Sequence, residues 1–176
     1  MQAALELCQE VGYGKLSIEG IASRAGVGKN TIYRWWPSKG AVLLDGLLSA
    51  MSVDASMADT GDIVADLKAQ MIAAVGALGD TPLGAQYRAL IGEAQHNPEL
   101  ARALLDRFIE PLRTASALRI ELAQRKGQIR SDLDSEFLVE MLYGPLYYRL
   151  LLTQRVPERA RIEAIVDTAF AGIAPS

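Results

Sequence analysis

Apolar residues recur at intervals of three and four positions along almost the whole chain, and this spacing is typical of amphipathic helices. The first such stripe consists of Ala4, Leu7, Cys8 and Val11. Runs in which β-branched and polar residues alternate, as they do in strands, do not occur in the sequence. The pattern therefore predicts an all-α protein of about nine helices.

Near the start of the chain, two short helices are predicted on either side of a tight turn. Ser17 is suited to cap the first of them, whose buried stripe is Ile18, Ile21, Ala22 and Ala25. Gly26 ends that helix, since glycine readily adopts the left-handed backbone that such a turn needs. The second helix is expected over residues 28–36, with an apolar side formed by Ile32, Trp35 and Trp36. Two helices joined in this way have the form of a helix-turn-helix.

The rest of the chain predicts longer helices. A fourth helix carries the stripe Leu44, Leu47, Leu48 and Met51, and the small and polar residues 52–61 are expected to form a linker or loop. Further helices are expected over 62–78, 82–96, 98–126 and 134–153, and a last one from Pro157. Pro111 predicts a kink, and Gly144-Pro145 predicts an interruption that frees the carbonyl of Met141.

The composition excludes several classes of protein. One cysteine, Cys8, and one histidine, His96, are too few for a disulfide framework or a Cys/His zinc site, and no metal or cofactor is expected. No apolar run approaches the roughly 18 residues that span a bilayer, and no export signal opens the chain. No catalytic triad is suggested around His96, so an enzyme is not expected. These features indicate a cytoplasmic protein that does not engage a membrane.

Charge is unevenly distributed, although the whole chain has a formal net charge of −3. Between Tyr13 and Gly40, five basic residues stand against one acidic residue, which gives a local charge of +4. The residues after Lys39 carry a net charge of −5. A cationic front on an acidic body is typical of a polyanion-binding head joined to a domain with another task, although solvated basic faces are also common.

The predicted third helix presents side chains suited to DNA. Lys29 and Tyr33 are four positions apart, as are Asn30 and Arg34, so these residues share one side of the helix. That side offers an amide for base edges, two cations, and a phenol that can donate to phosphate. A short cationic helix of this kind is what insertion into the major groove requires.

Two helix starts add candidate phosphate contacts. The fourth helix begins at Ser38 and Lys39, where free N–H groups, the positive end of the helix dipole and a lysine come together. Ser17 is suited to a similar role at the start of the second helix. For each of these residues alone, an ordinary cap or a solvated charge is an alternative.

Residues 17–43, SIEGIASRAGVGKNTIYRWWPSKGAVL, resemble the DNA-binding signature of TetR/AcrR-type transcriptional repressors. The family pattern has a Thr/Ser-capped helix, Ile-Ala, Ala-Gly-Val, a Thr-Leu/Ile-Tyr recognition helix, an aromatic residue and Ser-Lys. Residues 97–111 and 142–151 also resemble C-terminal domains of the family. The resemblance implies a three-helix helix-turn-helix DNA-binding domain at 1–45 and a helical effector-binding and dimerisation domain at 46–176.

The resemblance also implies roles for individual residues. Thr31, Tyr33 and Lys39 are expected to contact phosphates, whereas Lys29, Asn30 and Arg34 are expected to read bases or face the groove. Ser17 and Gly28, at the starts of the two helices, complete the set of eight residues expected to bind DNA. Gly28 stands where the family often has a capping serine, so the recognition helix is expected to start more loosely. Family members usually carry a basic extension before the first helix, so either this sequence is truncated or the protein lacks that arm.

For the body, the family implies dimerisation and a cavity for a small-molecule effector. Residues 137–152 are apolar on all sides of the predicted helix, which a second subunit would cover, although a central helix of a monomeric bundle is an alternative. The interface residues expected there and on the last helix are Leu138, Met141, Leu142, Leu146, Ile162, Ile165 and Val166. Polar groups suited to orienting an effector are Gln70, Tyr87, Arg88, His96, Tyr143 and Tyr147, although His96 is also well placed as a helix-end residue.

These inferences combine into one hypothesis of function. The protein is expected to be a homodimeric repressor of bacterial transcription, associated with the nucleoid, that binds a double-stranded DNA operator and leaves it when an effector binds. The alternative is a helical small-molecule carrier or sensor whose DNA-binding head no longer functions.

Overall fold

The computed structural model describes residues 1–51 and 57–173. The α-helices in these ranges are α1 (Gln2–Val11), α2 (Ile18–Ala25), α3 (Lys29–Tyr33), α4 (Lys39–Met51), α5 (Ile63–Leu78), α6 (Pro82–Ala94), α7 (Pro98–Leu104), α8 (Glu110–Arg125), α9 (Ser135–Tyr147) and α10 (Arg159–Ile173). The expected all-α class is confirmed, with nine helices in the described ranges when α7 and α8, which one π turn joins, are counted together. In the same ranges, no helix combines the length and apolar character needed to cross a lipid bilayer.

The helices group into two compact units, neither of which is continuous in sequence. The first unit runs over Met1–Asp54 and Asp80–Phe108, and the second over Ala55–Gly79 and Ile109–Ser176. Helices α6 and α7 therefore belong to the same unit as α1 to α4. The predicted boundary between residues 45 and 46 separates two expected functions, whereas the two units are defined by contacts between residues. The boundary therefore stays a prediction.

In the first unit, α4 is the central helix. It packs against α1, α6 and α7, and its three fully buried leucines are Leu43, Leu44 and Leu47. Helices α2 and α7 of this unit begin at polar caps that the sequence predicts. Ser17 Oγ accepts from the Gly20 N–H at 3.1 Å, and Asn97 Oδ1 accepts from the Leu100 N–H at 3.1 Å.

In the second unit, α5, α8, α9 and α10 surround one apolar core. Helix α9 packs against α8 and α10, and α10 packs against α5. Five residues that the sequence analysis assigned to a dimer interface are core residues of this unit instead: Leu138, Leu142, Leu146, Ile162 and Val166. Because each is at most 4% exposed, none is accessible to a second chain. Met141 and Ile165 are half-buried.

The prolines inside helices do not break them. Pro111 lies in the first turn of α8, directly after a π turn at Leu105–Ile109, so the irregularity predicted there takes the form of a π turn. Pro145 lies inside α9, which continues to Tyr147 and into a second π turn at Tyr148–Leu152. The predicted interruption at Gly144-Pro145 is therefore wrong. A π turn changes the spacing of the helical hydrogen bonds, which lets neighbouring residues accommodate the missing proline N–H.

The segment before α5 is held by a buried arginine. Residues 52–56 of the predicted linker lie outside the described residues, and 57–62 form no regular element. Arg119 of α8 donates through Nε to the Ala58 carbonyl at 2.9 Å and through Nη2 to Asp66 of α5 at 2.7 Å. Thr60 donates to the same Asp66 carboxylate through its hydroxyl at 2.6 Å and its N–H at 3.1 Å. One ion pair therefore ties this segment to both helices.

Asp66 and Arg119 form a pair that water does not reach. Their side chains are 2% and 3% exposed, respectively. Burial alone would raise the pKa of Asp66, but hydrogen bonds from Thr60 and Arg119 and the Arg119 charge lower it below its ordinary value. The folded state therefore favours the ionised carboxylate.

Asp66→Asn is expected to lower the free energy of unfolding by about 3 kcal/mol at neutral pH, the low end for a broken buried ion pair. The buried Arg119 loses its closest carboxylate and keeps only the partly exposed Asp59, whose Oδ1 lies 3.3 Å from Nη2. Urea unfolding followed by circular dichroism measures this loss. The lowered pKa adds stability above the unfolded value of about 3.9, and this stability is lost as the pH falls through the folded value. The difference between wild type and variant should therefore shrink below about pH 4.

Asp132→Asn is the matched control, since Asp132 pairs with Arg130 on the surface, where its side chain is 60% exposed. It is expected to cost much less stability than Asp66→Asn, because water screens exposed pairs. Equal losses in the two variants would contradict the assignment of Asp66 as a buried structural charge.

Candidate nucleic-acid interface

The turn between α2 and α3 has the geometry that the sequence predicts. Gly26 ends α2 at φ 67° and ψ 28°, a left-handed conformation that suits glycine. The Val27 N–H donates to the Ala22 carbonyl at 3.0 Å and closes the last turn of α2. Gly28 then caps α3 without a side-chain hydrogen bond, as its missing hydroxyl implies. Since α3 packs against α2, the two helices form a helix-turn-helix.

Helix α3 buries a single side chain. Ile32 is 4% exposed and anchors the helix in the core of the first unit. The other residues of α3 and the residue that follows are exposed, and we call them the reading face: Lys29, Asn30, Thr31, Tyr33 and Arg34. The structure thus brings together five of the eight residues predicted to bind DNA.

Both tryptophans are predicted from the sequence to lie on the apolar side of α3, and for Trp35 this prediction is wrong. Trp35 is 72% exposed, next in sequence to the reading face. Trp36 is half-buried, and its Nε1–H donates to Asp45 Oδ2 of α4 at 2.6 Å. Neighbouring side chains on a helix point about 100° apart, so a short helix with a narrow buried side cannot bury both rings. Trp35 is therefore an exposed aromatic ring beside the reading face that the sequence pattern did not predict.

The ammonium group of Lys39 is hydrogen-bonded within the first unit. Its Nζ donates to the carbonyls of Tyr13 and Leu16, both at 3.0 Å, and lies 4.6 Å from the centre of the Tyr13 ring. Burial, with Glu93 and Cys8 nearby, raises the pKa of Tyr13 to about 12. The ammonium group that the resemblance assigns to a phosphate is thus a brace between α4 and the turn before α2.

Of the remaining four cations of the +4 segment, one is paired within the first unit and three are exposed. Arg24 makes a two-pronged salt bridge to Glu10 of α1, with both N···O distances at 2.5 Å. Lys15, Lys29 and Arg34 are exposed, and within the described residues they form no salt bridge. Two of the three, Lys29 and Arg34, belong to the reading face. The free positive charge of this segment is therefore concentrated where α3 faces solvent.

The serines at two helix starts act as caps. Ser17 Oγ accepts from Gly20, as described above, and Ser38 Oγ accepts from the Ala41 N–H of α4 at 3.2 Å. Gly40 is buried beneath α7, and a Cβ there would lie 2.9 Å from a methyl group of Leu100. The absence of a side chain at this position therefore lets α7 approach the first turn of α4.

Three of the residues predicted to bind an effector belong to the second unit. The Tyr143 hydroxyl of α9 donates to Gln70 Oε1 of α5, and Tyr147 lies one turn further along α9. Burial raises the pKa of Tyr143, while a hydrogen bond with the buried Ser116 acts in the opposite direction. Ser116 joins this polar group although no feature of the sequence distinguishes it.

The other three belong to the first unit. Tyr87 is 2% exposed and packs its ring against Phe108, with centroids 5.0 Å apart and planes tilted by 46°. Arg88 is half-buried, and His96 is exposed just after α6, where a helix-end residue was the alternative expectation. A surface groove along α7 includes none of the predicted effector residues and is lined by Pro98, Glu99, Arg102, Ala103, Asp106 and Arg107.

Two family models match this chain. The model described as bacterial regulatory proteins, tetR family, matches residues 1–45, and the model described as tetracyclin repressor-like, C-terminal domain, matches residues 57–169. The chain is 34% identical over 173 residues to the HTH-type transcriptional regulator YdeS of Bacillus subtilis, which covers 98% of this chain and 87% of the relative.

Two further comparisons agree with these matches. The crystal structure of the TetR family transcription regulator SCO0332 superimposes with a TM-score of 0.80 at 39% identity, covering 98% of this chain and 95% of that one. The DNA-binding transcriptional repressor TetR of Mycobacteroides abscessus is 27% identical over 155 residues, which cover 86% of this chain and 80% of the relative.

Lys39→Met is expected to lower the free energy of unfolding by about 1–3 kcal/mol, because the Tyr13 and Leu16 carbonyls lose a charged donor. Urea unfolding measures the loss. Lys29→Met is the matched control, since it removes the same charge from an exposed side chain, and it should change stability by less than about 0.5 kcal/mol. If the two variants were equally stable, Lys39 would not brace the unit.

Proposed function

Since the chain belongs to the tetR family of bacterial regulatory proteins, we propose that it is a homodimeric, sequence-specific repressor of transcription. A small-molecule effector bound by the C-terminal domain releases it from its operator. The observation that carries this proposal is the reading face, an exposed side of α3 with two unpaired cations and an amide among the described residues. The name of the Mycobacteroides abscessus relative, a transcriptional repressor, supports the choice of repression.

The reading face has the size and chemistry for a major groove. The groove is about 12 Å wide and admits one helix, and α3 has five residues with only Ile32 turned inward. The Asn30 amide is suited to a bidentate contact with adenine, and Lys29 and Arg34 are suited to guanine or to phosphates. The hydroxyls of Thr31 and Tyr33 are suited to phosphate oxygens.

Trp35 extends this surface beyond the sequence prediction. A ring that is 72% exposed beside a DNA-reading helix gains burial when DNA covers it. Its indole N–H is also a donor for a phosphate oxygen. We therefore assign Trp35 to the edge of the interface and not to base readout.

The dimer interface is proposed on the outer side of α9. Exposed apolar side chains follow one another along this helix and its π turn: Phe137 at 54%, Tyr148 at 58% and Leu152 at 72% exposure, with the half-buried Met141 between them. Gly144, also exposed, lies midway and allows a second helix to approach closely. A second copy of the same face is the occupant that fits, because an apolar stripe with a small central residue is self-complementary about a twofold axis.

The effector is proposed to bind near the polar group of Gln70, Ser116, Tyr143 and Tyr147. Two half-buried phenols, a half-buried amide and the buried Ser116 hydroxyl at the edge of the apolar core are suited to orienting a mostly apolar ligand with a few polar atoms. Release from DNA then requires that the ligand binds more tightly to a conformation in which the two reading faces do not match the operator half-sites.

Enrichment from a random duplex library tests the proposal against a carrier whose head no longer binds DNA. The affinity for the enriched duplex, measured by fluorescence anisotropy, should fall with salt with a log–log slope of about −0.9 per phosphate contact. The affinity should exceed that for unrelated duplexes by about 10³ or more. A chain that enriches no sequence but binds small molecules tightly would instead be a carrier.

Asn30→Ala is expected to relax the base preference at one or two positions, because it removes the amide that reads a base edge, at a cost of about 1–3 kcal/mol. Tyr33→Phe is the matched contrast and should weaken binding to all duplexes alike, since it removes a phosphate contact. Enrichment profiles of the two variants measure the difference. An Asn30→Ala profile identical to that of wild type would remove Asn30 from base readout.

Tyr148→Glu is expected to yield folded monomers, because it places a charge within the proposed interface at a side chain that is exposed and lies outside the core. Leu142→Arg should instead unfold the second unit, since Leu142 is fully buried. Sedimentation reports the oligomeric state and circular dichroism the fold. Leu118→Glu, on an exposed leucine of α8, is the control and should stay dimeric. A dimeric Tyr148→Glu variant would refute the interface.

A further inference from the structure

One carboxylate joins the end of the recognition helix to a residue far away in sequence. Asp45 Oδ2 accepts from the Trp36 Nε1–H at 2.6 Å, and Asp45 Oδ1 accepts from Arg107 Nη1 at 2.6 Å. Each oxygen thus serves a different donor. We call this arrangement of Trp36, Asp45 and Arg107 the carboxylate bridge, and all three residues belong to the first compact unit.

The indole end of the bridge is continuous with α3. The backbone N–H of Trp36 donates to the Ile32 carbonyl at 2.9 Å. This bond has the spacing of four residues found in an α-helix, and it ties Trp36 to the last turn of α3. Ile32 is the only residue of α3 that is buried. Whatever holds the Trp36 ring in place therefore also holds the C-terminal end of the reading face.

The arginine end of the bridge lies in the π turn Leu105–Ile109. Its neighbour Phe108 is 1% exposed and packs against Tyr87, so the backbone of this turn is anchored in the core. The Asp45 side chain is 23% exposed and that of Arg107 is 52% exposed. A carboxylate with so little access to water needs a cation beside it, because one neutral indole donor does not replace its hydration.

From this geometry we propose that Arg107 is a positioning residue for DNA binding: through Asp45 it fixes the Trp36 ring and, with it, the orientation of the reading face. The role proposed for Arg107 is exerted through the Asp45 carboxylate and requires no contact between Arg107 and DNA. The inference rests on the proposed function, since it names a residue that supports the same DNA-binding site.

Loss of the carboxylate bridge is expected to lower DNA affinity by a route that differs from a general loss of positive charge. Removal of the Arg107 cation leaves the Asp45 carboxylate free to turn toward water, and the indole loses its fixed acceptor. The reading face then samples several orientations, and only a fraction of them fits the groove. The apparent affinity falls by that fraction while the contacts themselves are unchanged.

Arg107→Gln tests the proposal in the full chain, with the duplex enriched by wild type as the probe. Its dissociation constant is expected to rise about three- to tenfold, as it would if about a third to a tenth of the molecules held the reading face in the orientation that fits DNA. Arg107→Lys, which keeps a cation within reach, should recover most of the loss. Arg102→Gln removes the same charge from an exposed arginine of α7 and should stay within about twofold of wild type.

A double-mutant cycle separates the bridge from other effects of Arg107. Asp45→Asn removes the charge that Arg107 pairs with, so Arg107→Gln should have little further effect in that background. Additive losses, or equal losses for Arg107→Gln and Arg102→Gln, would overturn the proposal. All variants are compared without urea, at a temperature at which circular dichroism shows that they are fully folded.

A second readout needs no DNA. With Trp35→Phe, Trp36 is the remaining tryptophan of the chain, which has two. Adding Arg107→Gln should then make its fluorescence easier to quench with acrylamide, because the ring is held less firmly. Unchanged quenching would overturn the bridge even if DNA binding fell. Increased quenching in a chain that enriches no duplex would instead overturn the proposed function and leave the carboxylate bridge standing.

Discussion

The structure depends on how a five-residue helix is held in place. A helix as short as α3 is not stable in water on its own, because its few hydrogen bonds do not offset the cost of forming the first turn. Its order therefore comes from the residues beneath it, Ile32 in the core and Trp36 bonded to Asp45. A single buried contact point leaves the remaining side chains free for solvent or DNA. The same shortness that exposes the reading face thus makes its orientation dependent on α4.

The positive charge of the first unit serves two separate purposes. Lys39 and Arg24 are cations of the +4 segment, yet both are held by acceptors of the unit itself, carbonyls in one case and Glu10 in the other. Lys29 and Arg34 face solvent. A charge count gives the correct sign for the surface but overstates the number of cations that a polyanion meets. We therefore expect stability to depend on Lys39 and Arg24, and DNA affinity to depend on Lys29 and Arg34.

Local features were predictable from the sequence, and pairings across the chain were not. Helical spacing, the caps at Ser17 and Asn97, and the glycine turn at Gly26 depend on residues within one or two turns of each other, and the structure confirms them. Trp35 and Trp36 carry the same side chain at adjacent positions, so no local signal decides which is buried. On α9, the all-round apolar pattern hides which side faces the core, and α8 and α10 make that choice. Asp45 and Arg107 are 62 positions apart, and no pattern links them.

The compact unit that carries the reading face is larger than the helix-turn-helix motif. Helix α4, which supplies Asp45, packs against α6 and α7, and Leu100 of α7 closes over the side-chain-free surface at Gly40. The residues that hold α3 therefore extend to Phe108, well past the segment that resembles a DNA-binding signature. The motif contains the side chains proposed to contact DNA, whereas the helices that support α3 include some that the motif does not contain. We therefore expect substitutions in α6, α7 or the π turn to alter DNA affinity without changing any residue of the reading face.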